Sequence, residues 1–232
     1  MLDVNDLRKR YDTPQGPLRV LDGVSMHLPA GQSLALMGES GCGKSTFLHV
    51  VAGLDSADGG TVSVDGDNVS AMDDSARAAL RRDRVGLIFQ QFNLIPSLTV
   101  RDNLSFQARL AGRLDRDWLD RLTGRLDLGG LMDRYPEHLS GGQQQRVAIG
   151  RTFAARPSLV LADEPTGNLD EATSDSVMAL SLELVRETGC ALLVVTHSDR
   201  LAGAMDRTLR LSGGRLSGGR LDGERPDGER SQ

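Results

Sequence analysis

The stretch "SLALMGESGCGKSTFLHVV" at residues 33–51 decides how the whole chain is read. It opens with a short apolar run ending in glycine and closes with apolar side chains at helical spacing, which continue to Leu54. Between them, "GESGCGKST" at 38–46 satisfies G-x-x-x-x-G-K-[ST] in the strand–loop–helix setting that the pattern requires. Gly38, Gly41 and Gly43 let the backbone curl so that successive N–H groups, those of Glu39, Ser40, Cys42 and Thr46 included, surround one point. The helix that follows turns its positive end toward the same point. Such a cradle suits phosphate: Lys44 reaches the β- and γ-phosphates and the Ser45 hydroxyl ligates Mg²⁺. A glycine-rich turn with a chance lysine would need neither the strand nor the helix.

Working outward, "RVGLIFQ" (84–90), "SLVLAD" (158–163) and "ALLVVT" (191–196) read as further buried strands. Helical segments from about Gln143 and at 171–188 separate the later ones, so the expectation is an α/β fold with a parallel sheet. Residues 2–10 and 18–28 alternate apolar and polar side chains, which fits a half-exposed sheet near the N-terminus. "GGTVSVDG" (59–66) adds a turn and a strand to it. From Phe92 to about Tyr135 the pattern is mostly helical, clearest in "SLTVRDNLSFQARLAG", and looks like an insertion into the parallel sheet.

Two further elements point to phosphate chemistry. "LVLADE" (159–164) is an apolar strand ending in two carboxylates: Asp163 is placed to hold Mg²⁺ through water, and Glu164 to act as general base on an attacking water. His197 closes the run "ALLVVTH" and should emerge at the same sheet edge, beside the terminal phosphate. His27, His49 and His138 have no such setting.

"LSGG" occurs three times, at Leu139–Gly142, Leu211–Gly214 and Leu216–Gly219. Only the first is followed by "QQQRV", a helix that can aim its N-terminus at an anion. Ser140 is a good N-cap for it, and Gly141 and Gly142 allow close approach. The second copy reads as a hairpin turn with Gly213 and Gly214 at positive φ. The third belongs to a five-residue arginine-spaced pattern from Arg210, whose first part reads as a strand and hairpin turn and whose remainder, from about residue 218, reads as a disordered tail.

Composition narrows the field. Over 232 residues the net charge is −5, so no global pull toward nucleic acid exists. No apolar run approaches the roughly 20 residues that span a bilayer, and no signal peptide is evident at the start. Cys42 and Cys190 suggest no disulfide framework.

In the order phosphate loop, "LSGGQQQR", "LADEPTGNLD", "VTH", the chain resembles ATPase subunits of ABC transporters, from Leu2 to about Arg215. The resemblance implies a RecA-like P-loop NTPase core, an antiparallel β subdomain and an inserted helical subdomain (about 92–155), together forming a domain over 1–217. It implies that Tyr11 stacks on the adenine of ATP and that Gln90 touches Mg²⁺ and the attacking water. It also implies that Ser140, Gly141, Gly142 and Gln143 contact ATP bound by the opposite subunit, with Asp170 crossing the same interface. A head-to-tail homodimer follows from one loop and one signature per chain. "DEPTGNLD" with "FQQFNLIPSLTVRDN" is similar to the lipoprotein-release, macrolide-export and cell-division group. There a separate integral-membrane permease is the partner, and the ATPase sits peripherally on the cytoplasmic side of the inner membrane. Solute-import ATPases more often differ after "DEPT", and soluble ABC ATPases acting on ribosomes or DNA generally pair two halves. No nucleic-acid partner is expected. Two departures stand out: Gly150, where the family usually has alanine, is expected to loosen the signature helix. Cys42, where serine is frequent, places a thiol in the phosphate cradle, so its alkylation should block nucleotide binding.

Overall fold

In a computed structural model describing residues 1–219, two sheets and a set of helices pack around two apolar clusters. The first sheet is antiparallel, in the order β2-β1-β4-β5: β1 (Leu2–Thr13), β2 (Gly16–Leu28), β4 (Gly59–Val64) and the short β5 (Asp67–Asn68). The alternation read at 2–10 and 18–28 is the cause, since one face turns Leu2, Val4, Val24 and Leu28 into the core.

The second sheet has the order β10-β9-β3-β8-β7-β6. Its centre is β3 (Ser33–Met37), β8 (Ala191–Val195) and β7 (Leu159–Asp163), flanked by β6 (Val85–Phe89). These run parallel and are covered on both faces, which is why their sequences are nearly unbroken apolar runs. Alternate residues serve opposite faces. Leu34, Leu36, Leu161 and Leu193 pack toward the antiparallel sheet. Ala35, Met37, Val160 and Val194 pack toward the helices. β9 (Arg207–Ser212) joins β3 in parallel, and β10 (Arg215–Gly219) folds back on β9.

Register does the positioning. Phe89 lies beside Asp163, Asp163 beside Val195, and Leu36 beside Val195. The residues that follow these strand ends, Gly38, Gln90, Glu164 and His197, therefore emerge along one edge.

Among the described residues, seven α-helices surround the sheets. α1 (Lys44–Val51) starts directly at the phosphate loop. α3 (Val100–Leu110), α4 (Arg116–Arg125) and α5 (Gly141–Ala154) form a cluster in which Leu104, Leu122, Leu126 and Phe153 are fully buried. The Trp118 indole donates to the Phe153 carbonyl at 3.0 Å, which satisfies the ring's polar end inside that cluster. Here Gly150 earns its place. A Cβ there would lie 2.4 Å from Leu104 Cδ2 and 2.6 Å from Leu126 Cδ1, so its absence lets α3 and α5 approach. The expected loosening of α5 is thus reversed: the glycine exchanges helix propensity for close packing. α6 (Glu171–Thr188) spans the residues read as a helix, with Asp170 as its N-cap and Gly189 ending it in the left-handed region.

Four details differ from the sequence reading. Residues 92–99 are not helical: Phe92 and Asn93 have φ of 55° and 48°, and α3 begins only after the Thr99 cap. α5 begins at Gly141 rather than near Gln143. A helix at Asp74–Asp83 (α2) and a short α7 (Asp199–Ala202) were unforeseen. β10 runs through the third LSGG copy to Gly219, two residues beyond the expected end of the strand and hairpin; the rest of the expected tail, 220–232, lies outside the described residues. The second copy makes the expected turn, with Gly213 at φ 54° and Gly214 at φ 78°.

Candidate active site

The loop between β3 and α1 is shaped by its glycines. Gly43 has φ 105°, and a Cβ there would meet Val20 Cγ1 at 2.8 Å and the Val20 carbonyl at 2.9 Å, so no other residue fits. The Lys44 side chain is buried inside this loop, its ammonium donating to the carbonyls of Gly38 and Glu39, each at 2.8 Å. Cys42 Sγ lies 4.0 Å from the same nitrogen. The ammonium is therefore held in place by backbone carbonyls, with no carboxylate paired to it among the described residues.

Across the cleft the Ser45 hydroxyl donates to Asp163 Oδ1 at 3.2 Å. A hydroxyl and a carboxylate facing each other at the strand tip are hard oxygen donors of the kind Mg²⁺ takes, with water completing its shell. Ser40, Gly41, Gly43, Lys44, Ser45, Thr46, Asp163 and Glu164 together line a cleft of about 320 Å³.

Glu164 sits next to this cleft in a constrained backbone. Its φ is 46°, its N–H donates to the Val195 carbonyl and its carbonyl accepts from the Gly167 N–H, both at 3.0 Å. His197 Nδ1 lies 2.9 Å from Glu164 Oε1, while the His197 side chain is 75% exposed. The parallel register thus brings Lys44, Ser45, Asp163, Glu164 and His197 to one end of the sheet.

Gln90 is turned elsewhere. Its amide donates to Asn168 Oδ1 at 3.2 Å, and Asn168 Nδ2 donates back to the Gln90 carbonyl at 3.0 Å. Gly167 permits this, since a Cβ there would lie 2.7 Å from Gln90 Nε2. Tyr11, on β1, is 39% exposed and donates its hydroxyl to Asp55 Oδ2 at 2.6 Å. Partial burial and the Asp55 carboxylate push its ionisation upward. Lys9, held by Asp55 and the Ser56 carbonyl, lies 4.9 Å from the ring centre.

A second cleft, of about 370 Å³, is lined by Ser140, Gly141, Gly142, Gln143, Asn168 and Asp170 among others, and shares no lining residue with the first. Ser140 and Gln143 form a reciprocal cap: the Gln143 N–H donates to Ser140 Oγ at 3.3 Å and the Ser140 N–H to Gln143 Oε1 at 2.9 Å. Asp170 accepts from the Thr173 N–H at 2.9 Å and its hydroxyl at 2.6 Å, which holds the carboxyl below its ordinary range.

Two further residues carry no signal in the sequence because their roles depend on distant packing. Arg151 donates to the carbonyls of Asn93 at 2.7 Å and Phe92 at 3.2 Å, securing the left-handed turn after Gln90; burial lowers its ionisation. Gln145, fully buried, donates to the Pro165 carbonyl.

A phosphate loop, an acidic strand tip and a glycine-rich helix start on a parallel sheet define a P-loop ATPase. The chain belongs to the ABC transporter family, whose profile matches residues 21–167. It is 44% identical over 217 residues to the "Uncharacterized ABC transporter ATP-binding protein YbbA" of Escherichia coli K12, covering 92% of this chain and 95% of that one. It is 42% identical over 217 residues to the "Lipoprotein-releasing system ATP-binding protein LolD" of Gluconobacter oxydans, covering 92% and 94%. Among solved structures, the ADP- and Pi-bound dimer of the ATP-binding cassette MJ0796 superposes with a TM-score of 0.85 at 34% identity, over 94% of this chain and 97% of that one. The protein is an ATP-hydrolysing subunit of an ABC transporter, not a ribosome- or DNA-directed ATPase. Among the described residues no helix is long and apolar enough to cross a membrane.

Proposed function

We propose that two copies of this chain close head to tail on two ATP molecules, each held by one copy's phosphate loop and the other's signature. The observation that carries this is the presence of two separate clefts on one chain, one at Lys44 and one at Ser140. The dimeric MJ0796 cassette supports it. In this reading Lys44 and the loop amides hold the β- and γ-phosphates, and Tyr11 lies beside the adenine. Ser45 and Asp163 would hold Mg²⁺, which when bound neutralises phosphate charge. Glu164 accepts a proton from the water attacking the γ-phosphate, yielding ADP and phosphate, and His197 orients that carboxylate. Gln90 joins the site when the turn it shares with Asn168 moves at closure.

A groove of about 410 Å³, lined by Leu54, Phe89, Asn93, Ile95, Phe106 and Arg151 among others, is where a separate membrane permease would dock. It includes the start of "FNLIPSLTV". With the LolD relative, this favours lipoprotein release or a related export or mechanotransmission task, from the cytoplasmic face of the membrane.

The trans arrangement is tested by complementation. Lys44→Ala and Ser140→Arg chains are each inactive alone. Mixed, they form heterodimers in which one composite site combines both lesions and the other has none. Recovered ATPase activity is the expected result; a mixture as inactive as its parts refutes the trans site.

A further inference from the structure

The helix that begins at the signature also reaches the backbone beside Glu164, and the link between them is a buried amide. Gln145, in the first two turns of α5, is 0% exposed. Its Nε2 donates to the carbonyl of Pro165, the residue that directly follows Glu164. Its Oε1 has no hydrogen-bond partner among the described residues. An unpaired buried carbonyl is costly, and an apolar side chain of the same length would fill this space without that cost. Packing alone therefore does not account for a glutamine here.

What the amide holds is a turn that needs holding. Glu164 is a non-glycine residue at φ 46°, and it precedes a proline, whose ring disfavours helical backbone in the residue before it. Such a conformation persists only where its surroundings impose it. Val195 fixes the Glu164 N–H, Gly167 fixes its carbonyl, and the Ser174 hydroxyl, at 3.5 Å, faces the Thr166 carbonyl. The Pro165 carbonyl of this turn is held from α5, the helix whose N-terminal end lines the signature cleft.

We infer that Gln145 is a positioning residue for hydrolysis: it ties the signature helix to the strained turn that aims Glu164. The inference rests on the reading of Glu164 as the base. Its consequence is mechanical. In the head-to-tail dimer the signature of one chain touches the ATP of its partner, while Glu164 acts on the ATP of its own loop. Through Gln145, a displacement of α5 produced at one composite site reaches the base of the other.

The test is Gln145→Met in the full chain, which removes donor and orphan acceptor together at similar length. The expected result is a kcat lowered about ten- to hundred-fold, the range a misplaced catalytic group produces. The KM for ATP and the affinity for a fluorescent ATP analogue stay within about twofold, and the melting temperature is unchanged. In the Glu164→Gln background the same substitution brings no further loss, because both act through one carboxylate. Turnover within twofold of the parent overturns the inference. So does a loss of kcat accompanied by a matching loss of nucleotide affinity or melting temperature, which marks a packing role. Full, independent loss in the Glu164→Gln background also overturns it. Normal turnover in Glu164→Gln alone would instead remove the base itself, a failure separate from any behaviour of Gln145.

Discussion

Replacing Gly150 by alanine restores the residue usual in the family, a change that ordinarily stabilises a helix. In this chain the opposite outcome is expected. The gain is the helix propensity of alanine over glycine, about 1 kcal/mol. Against it stands a methyl whose carbon would lie 2.4 Å from Leu104 Cδ2 and 2.6 Å from Leu126 Cδ1. Carbon atoms pack at roughly 3.5–4.0 Å, so each leucine must retreat by about 1 Å. Neither has room, for both are fully buried in the cluster that holds Trp118, Leu122 and Phe153. Overpacking of this kind costs roughly 1–3 kcal/mol, which leaves a net loss of about 1 kcal/mol. For a domain of this size that lowers the melting temperature by about 2–4 °C. Calorimetric melts of the two proteins side by side measure it. Adding Leu104→Val should recover part of the loss, because the two changes share one contact. A melting temperature that rises in Gly150→Ala refutes the packing argument and returns Gly150 to a mere weakening of α5.

Four other outcomes follow. Glu164→Gln should retain ATP binding while turnover falls by about 10²–10⁴-fold, the usual worth of a general base, and ATP-bound dimers should accumulate on size exclusion; Lys44→Ala should instead weaken binding and turnover together. Arg151→Met leaves the Phe92 and Asn93 carbonyls without their donor, and should lower the urea midpoint by about 2 kcal/mol equivalent at constant slope; an unmoved midpoint would show the turn stands without it. Alkylation of Cys42 should abolish binding of a fluorescent nucleotide, with ATP protecting the thiol; unchanged ATPase activity after verified modification would sink that idea.

How much of this was legible in the sequence depends on the range of the interactions involved. Strand, loop and helix at 33–51 were readable because each is dictated locally, by apolar runs and by glycine. The common edge of Asp163 and His197 followed from parallel strands of equal length. By contrast, "DSARAALRRD" carries a single fully buried residue, Leu80, and so gave no apolar stripe to mark α2. Residues 92–99 resemble helix by composition, yet Arg151, from a helix far along the chain, holds Phe92 and Asn93 in a left-handed turn. The value of Gly150 was invisible for the same reason: its cause is Leu104 and Leu126, not its neighbours in sequence. Gln145 gave no signal, since glutamine in a polar stretch reads as surface.

The pairing of β3 sets a timetable for the protein's birth. Leu36 finds its strand partners at Val195 and Leu209, neither of which exists when residues 33–51 leave the ribosome. At synthesis rates of about 5–20 residues per second, roughly 8–30 s separate the synthesis of the phosphate loop from that of the strands that flank it. Through that interval the antiparallel β1–β2 hairpin can form, but β3 remains an unpaired apolar segment. A nascent chain of this kind is exposed to aggregation or chaperone capture until translation is nearly finished, and nucleotide can stabilise it only afterwards.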